Sequence, residues 1–382
     1  MHYGAMTDRW FLVASCVLSS ACGRSDTVRA GHDVVAGIAE IVAGEAFTCR
    51  RAGGRVTCCG NGWHGELGNG ASEDEGSAVA VRGLEDATAI VAGGFHACAI
   101  RRDGSVWCWG ENRWGQLGVE DATDRRTVPG AVSGVAHATQ LAAGILHTCA
   151  VISDGTAWCW GRNQRGQTGS GSISEIAAPA PVGGLDGVTA ISVGGFHTCA
   201  LRSDRRVVCW GENDHGQLGD ATTTPRTTPV PVTGLVDVVE LAAGSSHTCA
   251  RLADQTVQCW GSNQAGQLAE PGTSSRPHPG RVPGVTGAIA LRARNDATCA
   301  LSSDGRVTCW GASLGRLGGR SDQPGPWIVR DPAARARAFA LGGDHLCIVT
   351  AGDELICRGE ASHGQLCDGS SPPRSNTFPP PP

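Results

Sequence analysis

The sequence predicts an all-β fold, a single seven-bladed β-propeller of repeats about fifty residues long with one hairpin disulfide per blade. Three observations carry this. Near-copies of the phrase LAAGILHTCAVISDGTAWCWGRNQRGQTG, as it stands at 141–169, run through the chain. The first cysteine of each copy falls at Cys49, Cys98, Cys149, Cys199, Cys249, Cys299 and Cys347, which makes seven copies. The 382 residues include 56 glycines and 11 tryptophans, placed at stereotyped points of the repeat. Tight turns and a repeated packing position explain that better than a helical solenoid, whose apolar period of roughly 3.6 residues is missing.

Each copy divides into four strands. In the fifth, residues 238–242 (VVELA) read as an apolar inner strand that ends near Gly244. Residues 247–252 and 256–260 read as a hairpin turning at Ala253, Asp254 and Gln255. In other copies the turn holds Asp103 and Gly104, Asp154 and Gly155, or Asp304 and Gly305; glycine accepts the positive φ that hairpins need. A polar loop (NQAGQLA) follows. A proline-bearing segment such as Val230, Pro231 and Val232 then makes the outer strand, where a missing N–H is tolerated.

A second cysteine accompanies the first in every copy: Cys58, Cys108, Cys159, Cys209, Cys259, Cys309 and Cys357. Between Cys98 and Cys108 the midpoint is the turn residue Asp103, so the two cysteines face each other on paired strands, close enough for a disulfide. Metal binding is the rival, because histidine and cysteine recur together at His147, His197 and His247. Zinc sites use cysteines two to four residues apart converging on one ion, and these pairs span a hairpin instead, so no metal is expected. The histidine column (His96, His147, His197, His247, His345) contains Phe47 and Ala297 in two copies, which suits a blade-core histidine bonded to the backbone of a neighbouring turn. The tryptophan column (Trp109, Trp160, Trp210, Trp260, Trp310) reads as packing between blades.

Composition narrows the function. Formal net charge is −5, and all 31 basic residues are arginine. No basic patch marks a nucleic-acid binder. Residues 10–21 (WFLVASCVLSSA) are apolar and too short to span a bilayer, as in an export signal. The run ends at Ser20, Ala21, Cys22 and Gly23, which resembles a bacterial lipobox with Cys22 lipidated, although Leu18 stands one place further from Cys22 than usual. The organisation expected is an export signal of lipoprotein type at 1–22, a tether at 23–33, the propeller at 34–370 and a proline-rich tail at 371–382. Such a chain is exported, in the cell envelope or secreted, and meets a membrane only through a lipid anchor. A disulfide-rich repeat belongs in that oxidising setting.

The phrases GGFHTCAL at 194–201 and CWGENDHGQLG at 209–219 resemble the repeat of the regulator of chromosome condensation family, and the resemblance covers about 34–369. It implies a seven-bladed propeller, the number counted above. It also implies two activities: guanine-nucleotide exchange on a small GTPase, as in the nuclear member, and protein binding like that of secreted propellers of this fold that inhibit β-lactamases. The export signal and the cysteines favour binding. No G-x-S-x-G, phosphate loop or H-E-x-x-H occurs, so neither catalysis nor a cofactor is expected. The reading is a monomeric extracytoplasmic module that binds a protein or glycan, with a purely structural envelope role also open.

The candidate face is the loop after the tryptophan strand, where two residues before a recurring glycine vary from copy to copy. They are Trp63 and His64, Arg113 and Trp114, Gln164 and Arg165, Asp214 and His215, Gln264 and Ala265, Leu314, and Ser362 and His363. Tryptophan and arginine are enriched at binding hot spots. Two expectations concern ring closure. Residues 32–36 (HDVVA) stand in the place of an outer strand with no blade of its own, so Val34 and Val35 should pair with the last blade. Setting aside Cys16 and Cys22, the hairpins leave Cys59 and Cys367, in copies that adjoin in a closed ring. Those two are expected to form an eighth disulfide, unless Cys58 and Cys59 exchange partners at Cys49.

Overall fold

The computed structural model describes residues 31–34, 37–120, 123–312, 325–329 and 335–370. Seven four-stranded antiparallel sheets form seven blades, and among the described residues there is no helix, hence none long and apolar enough to cross a membrane. Strands are numbered β1 to β28 in chain order. The first blade is β2 (Ile38–Ala43), β3 (Phe47–Ala52), β4 (Arg55–Gly60) and β5 (Glu75–Ala80), inner to outer. The seventh holds β26 (Ala336–Leu341), β27 (His345–Thr350) and β28 (Glu354–Gly359), and its outer strand comes from the other end of the chain.

That strand is β1 (Gly31–Val34), antiparallel to β28 with Val34 opposite Glu354 and Gly31 opposite Cys357. Ring closure therefore borrows an N-terminal strand, as expected. Val35 lies outside the described residues. Gly31, His32 and Asp33, read above as the end of a tether, belong to the closing strand. This pairing covers the outer edge of β28, which no other strand among the described residues covers. Cys22, the segment expected to be an export signal, most of the segment expected to be a tether, and the proline-rich residues 371–382 lie outside the described residues.

Every hairpin cysteine pair is bonded, with Cα atoms 4.0 to 4.1 Å apart. In each hairpin the two cysteines are direct cross-strand partners, Cys98 opposite Cys108 for example. The cysteines of the first blade are nine positions apart in sequence where those of the others are ten. Its turn is the two-residue Gly53 and Gly54, both at positive φ, between paired Ala52 and Arg55. A shorter turn thus keeps the same register.

The core is distributed among the blade interfaces. Between the second and third blades, Cys98, Ile100, Val106, Leu117 and Val132 pack against Leu141, Ala150 and Trp160. Equivalent layers lie at the other interfaces, and Trp109, Trp160, Trp210, Trp260 and Trp310 are fully buried in them. Each blade's tryptophan sends its indole N–H to a loop carbonyl of the preceding blade: Trp109 to Glu66 O, Trp160 to Gln116 O, Trp210 to Gln167 O, Trp260 to Gln217 O and Trp310 to Gln267 O.

The histidine column is buried, but its partner is not the backbone that the sequence suggested. His96 Nε2 meets Thr148 Oγ1 at 2.8 Å, and His147, His197, His247 and His345 meet Thr198, Thr248, Thr298 and Thr48 in the same way. Each histidine thus bonds a threonine side chain of the next blade. The Thr148 hydroxyl donates to Gln116 O at 2.8 Å, so it accepts from a protonated Nε2. Nδ1 of all five histidines is buried with no hydrogen-bond partner. Where the histidine is lost, the next blade's threonine is lost as well: Phe47 precedes Ala97, and Ala297 precedes Leu346. An imidazole without the hydroxyl would leave a buried N–H unpaired, and a hydroxyl without the imidazole would keep only its bond to the loop carbonyl.

Candidate functional site

The loops after the third strand share one internal scaffold. Asn112 Oδ1 accepts the N–H of Leu117, and Gln116 Oε1 accepts the N–H of Trp114 at 2.9 Å. The second bond recurs in every described loop: Arg165 N to Gln167, His215 N to Gln217, Ala265 N to Gln267, His363 N to Gln365, and His64 N to the carboxylate of Glu66. A pinned backbone holds the variable side chains outward. The first of each pair is exposed, and the second is half-buried except for exposed Arg165.

The sequence-predicted residues form neighbouring pairs around the ring, not one cluster. Trp63 is 56% exposed, and its carbonyl accepts Arg125 Nη1. His64 lies 5.4 Å from the ring of Phe95 in the second blade, and burial, then Arg125, lowers its pKa. Arg113 and Arg162 lie 5.6 and 4.4 Å from the ring of Trp114, and Arg162 also lies 5.2 Å from that of Phe196. Gln164 is exposed and bonds Arg162, while Arg165 meets Glu212 of the fourth blade at 3.4 Å. His363 Nδ1 donates to Asp74 Oδ2 at 2.8 Å and lies 3.2 Å from Asn61 Nδ2, and the Asp74 bond raises its pKa. Asp214, Gln264 and Ser362 are exposed, and His215 and Ala265 half-buried. Leu314 lies outside the described residues.

Phe95, Arg162 and Phe196 belong to this face and were missed in the sequence. Two of them sit in the loop between the inner and second strands, which opens on the same side. The residue there just before the histidine column runs Ala46, Phe95, Leu146, Phe196, Ser246, Asp296, Asp344. That column varies as much as the chosen loop, so the same reasoning would have found it. It also splits the face: large apolar groups in blades two to four, small or acidic ones in blades five to seven. Ile176 (48% exposed) packs over Gly115 beside Trp114, and Ile173 (66% exposed) stands near it in sequence.

Glu66 departs from the scaffold, since the other described loops have glutamine there. It is fully buried, Oε1 has no hydrogen-bond partner, and burial pushes its pKa up to about 8, with Asp74 and Glu111 adding to the rise. A raised carboxyl pKa means the folded chain holds the proton more tightly, so stability falls as pH rises from about 4.5 towards 8. Glu66→Gln is expected to stabilise the protein by about 3 kcal/mol at pH 7 and by less than about 1 kcal/mol at pH 5. Urea unfolding at the two pH values checks this; an equal change at both would refute it.

Among the described residues, no group of three or more His, Cys, Asp or Glu could hold a metal ion. The site and fold together define a repeat propeller in which a uniform scaffold carries variable loop tips. The RCC1-like domain family matches residues 16–291, and the chain belongs to that family. It is 32% identical over 145 residues to the Arabidopsis thaliana ultraviolet-B receptor UVR8, covering 36% of this chain and 33% of that one. It is 32% identical over 120 residues to the Drosophila melanogaster regulator of chromosome condensation, covering 30% and 22%. These matches span a third or less of the relatives' lengths. Among solved structures, yeast RCC1 (Prp20) bound to Kap60 superposes with a TM-score of 0.71 at 20% identity, covering 86% of this chain and 82% of that one. Human WBSCR16 gives 0.72 at 20% identity, covering 85% and 87%. Both show the fold.

Proposed function

We propose that this chain is a non-catalytic binding module of an oxidising, extracytoplasmic compartment that presents the loop face of blades one to four to a protein partner. The observation that carries this is the contrast between a recurring loop scaffold and tips that differ, with Trp63, His64, Phe95, Arg113, Trp114, Arg162 and Arg165 gathered on one half. Eight disulfides support the compartment. A lipid anchor at Cys22 and a monomeric ring complete the reading. Exposed Trp63, with half-buried Phe95, Trp114 and Phe196 on the same face, also favours its narrower form, a β-lactamase-inhibitor-like binder, over a glycan site.

A solved yeast relative is described by its binding to Gsp1p and histones, so nucleotide exchange on a small GTPase is the second reading. The experiment uses the full chain carrying Trp63→Ser, Arg113→Ala and Arg165→Ala, and a control with Val236→Ser and Ile289→Ser, exposed residues outside this patch. Cross-linked capture from envelope extract should fall at least tenfold for the first variant and stay unchanged for the control. Equal capture by all three would overturn the proposal, and accelerated nucleotide release from a GTPase would move the function to the second reading.

A further inference from the structure

A cleft of about 330 Å³ opens on the loop face between the third and fourth blades, lined by Arg162, Gln164, Arg165, Phe196 and Glu212. Arg162 is unusual within it. Its guanidinium lies 4.4 Å from the Trp114 ring and 5.2 Å from the Phe196 ring. Its Nε and Nη2 donate to one neutral oxygen, Gln164 Oε1, at 3.1 and 2.5 Å. No carboxylate among the described residues lies within ion-pair distance of it. The other arginine is paired: Arg165 Nε faces Glu212 Oε1 at 3.4 Å. Glu212 is also engaged at its second oxygen, which accepts Gln217 Nε2 at 3.2 Å. Its charge is therefore committed to groups already present, and the cleft keeps one cation over.

An arginine fork matches a carboxylate in two parallel N–H···O bonds, and such charge-assisted bonds are about twice as strong as neutral ones. Gln164 is exposed and can swing away without leaving a buried group unpaired. We propose that this cleft receives an aspartate or glutamate side chain from a loop of the protein partner, with Arg162 as the bidentate anchor and Phe196 as its apolar wall. The inference rests on the binding-module reading above and adds the chemistry of the partner.

The test uses the full chain and two synthetic heptapeptide pools, acetylated and amidated at their ends, with randomised flanks and either glutamate or glutamine at the centre. The Arg162 Nε–H resonance reports binding. The glutamate pool should shift it saturably, with a response that weakens as salt rises, and the glutamine pool should not. Arg162→Gln should weaken glutamate-pool binding, followed by displacement of a labelled peptide, at least tenfold. Glu212→Gln should strengthen it several-fold by removing the neighbouring negative charge. A purely structural role for these residues would give losses from both variants, and that result, or equal shifts from the two pools, would overturn the proposal. Arg162→Gln with unchanged capture of a partner that the Trp63, Arg113 and Arg165 variant loses would overturn this inference and leave the binding-module reading standing.

Discussion

Acidification from pH 7 to pH 4 is expected to unfold the propeller in one steep transition centred between about pH 4 and 5, driven by the five blade-interface histidines. Burial drives His96, His147, His197 and His345 down to about 3 and His247 to about 4. Nε2 already donates to a threonine hydroxyl, so a second proton would go to Nδ1, buried with no partner. In the unfolded chain the same imidazoles titrate near 6.5. A depressed folded pKa leaves stability intact above about 6.5 and removes it as pH falls towards 3, because the unfolded chain binds the extra protons. At pH 5 each histidine costs about 2 kcal/mol, and five cost about 10, comparable with the whole stability of a typical domain. The slope approaches 7 kcal/mol per pH unit. Urea titrations between pH 7 and 5 measure it, and a slope worth fewer than three protons would show that the histidines are not the cause. The chain contains its own control. His96→Phe with Thr148→Ala copies the natural Phe47 and Ala97 pair, so it should lower the slope by one proton while changing neutral-pH stability by less than about 2 kcal/mol.

Those histidine pairs show where sequence reading stopped. The period, the staples and the borrowed strand were legible because each is a pattern along the chain, set by strand alternation and turn length. The threonine partner lies one blade on, about fifty residues away, and neighbouring residues give no hint of it. The signal was nonetheless present as a joint loss, Phe47 with Ala97 and Ala297 with Leu346. Half of the loop face was legible for the same reason. Variable tips against a fixed phrase marked Trp63, Arg113 and Trp114. That Arg162 would lie by both Trp114 and Phe196 depends on the offset between three successive blades, which the repeat does not state. Glu66 differs from the glutamine of the other described loops by a single charge, and its burial is what makes that difference matter.

Loss of the ring-closing disulfide is expected to destabilise the protein about twice as much as loss of any hairpin staple. At the standard interfaces, the glycine ending one blade's loop lies against the next blade's tryptophan: a Cβ on Gly118 would stand 2.8 Å from Trp160 Nε1, and Gly169 and Gly219 repeat this with Trp210 and Trp260. Between the seventh and first blades both partners have changed. Cys59 stands in the tryptophan column and Cys367, at positive φ, in the glycine position. Removing the indole opens the space towards which the glycine position directs a side chain, and the two cysteines fill it with a bond, Cα atoms 5.6 Å apart. Cys59 Sγ lies 4.0 Å from Gln365 O, the counterpart of the carbonyls that receive the indole N–H elsewhere. This bond spans 308 residues, so the chain-entropy relation gives about 5–6 kcal/mol, against about 2.7 for a ten-residue hairpin. Cys59→Ser with Cys367→Ser should therefore lower stability by about 5 kcal/mol in denaturant titration, and Cys98→Ser with Cys108→Ser by about half of that. Cys59→Trp with Cys367→Gly restores the repeat's own pair and should recover several kcal/mol of buried-indole packing over the double serine variant, even under reducing conditions. Equal losses from the two serine variants would mean that β1 alone closes the ring; a tryptophan–glycine variant no better than serine would mean that this interface has diverged too far to accept the standard packing.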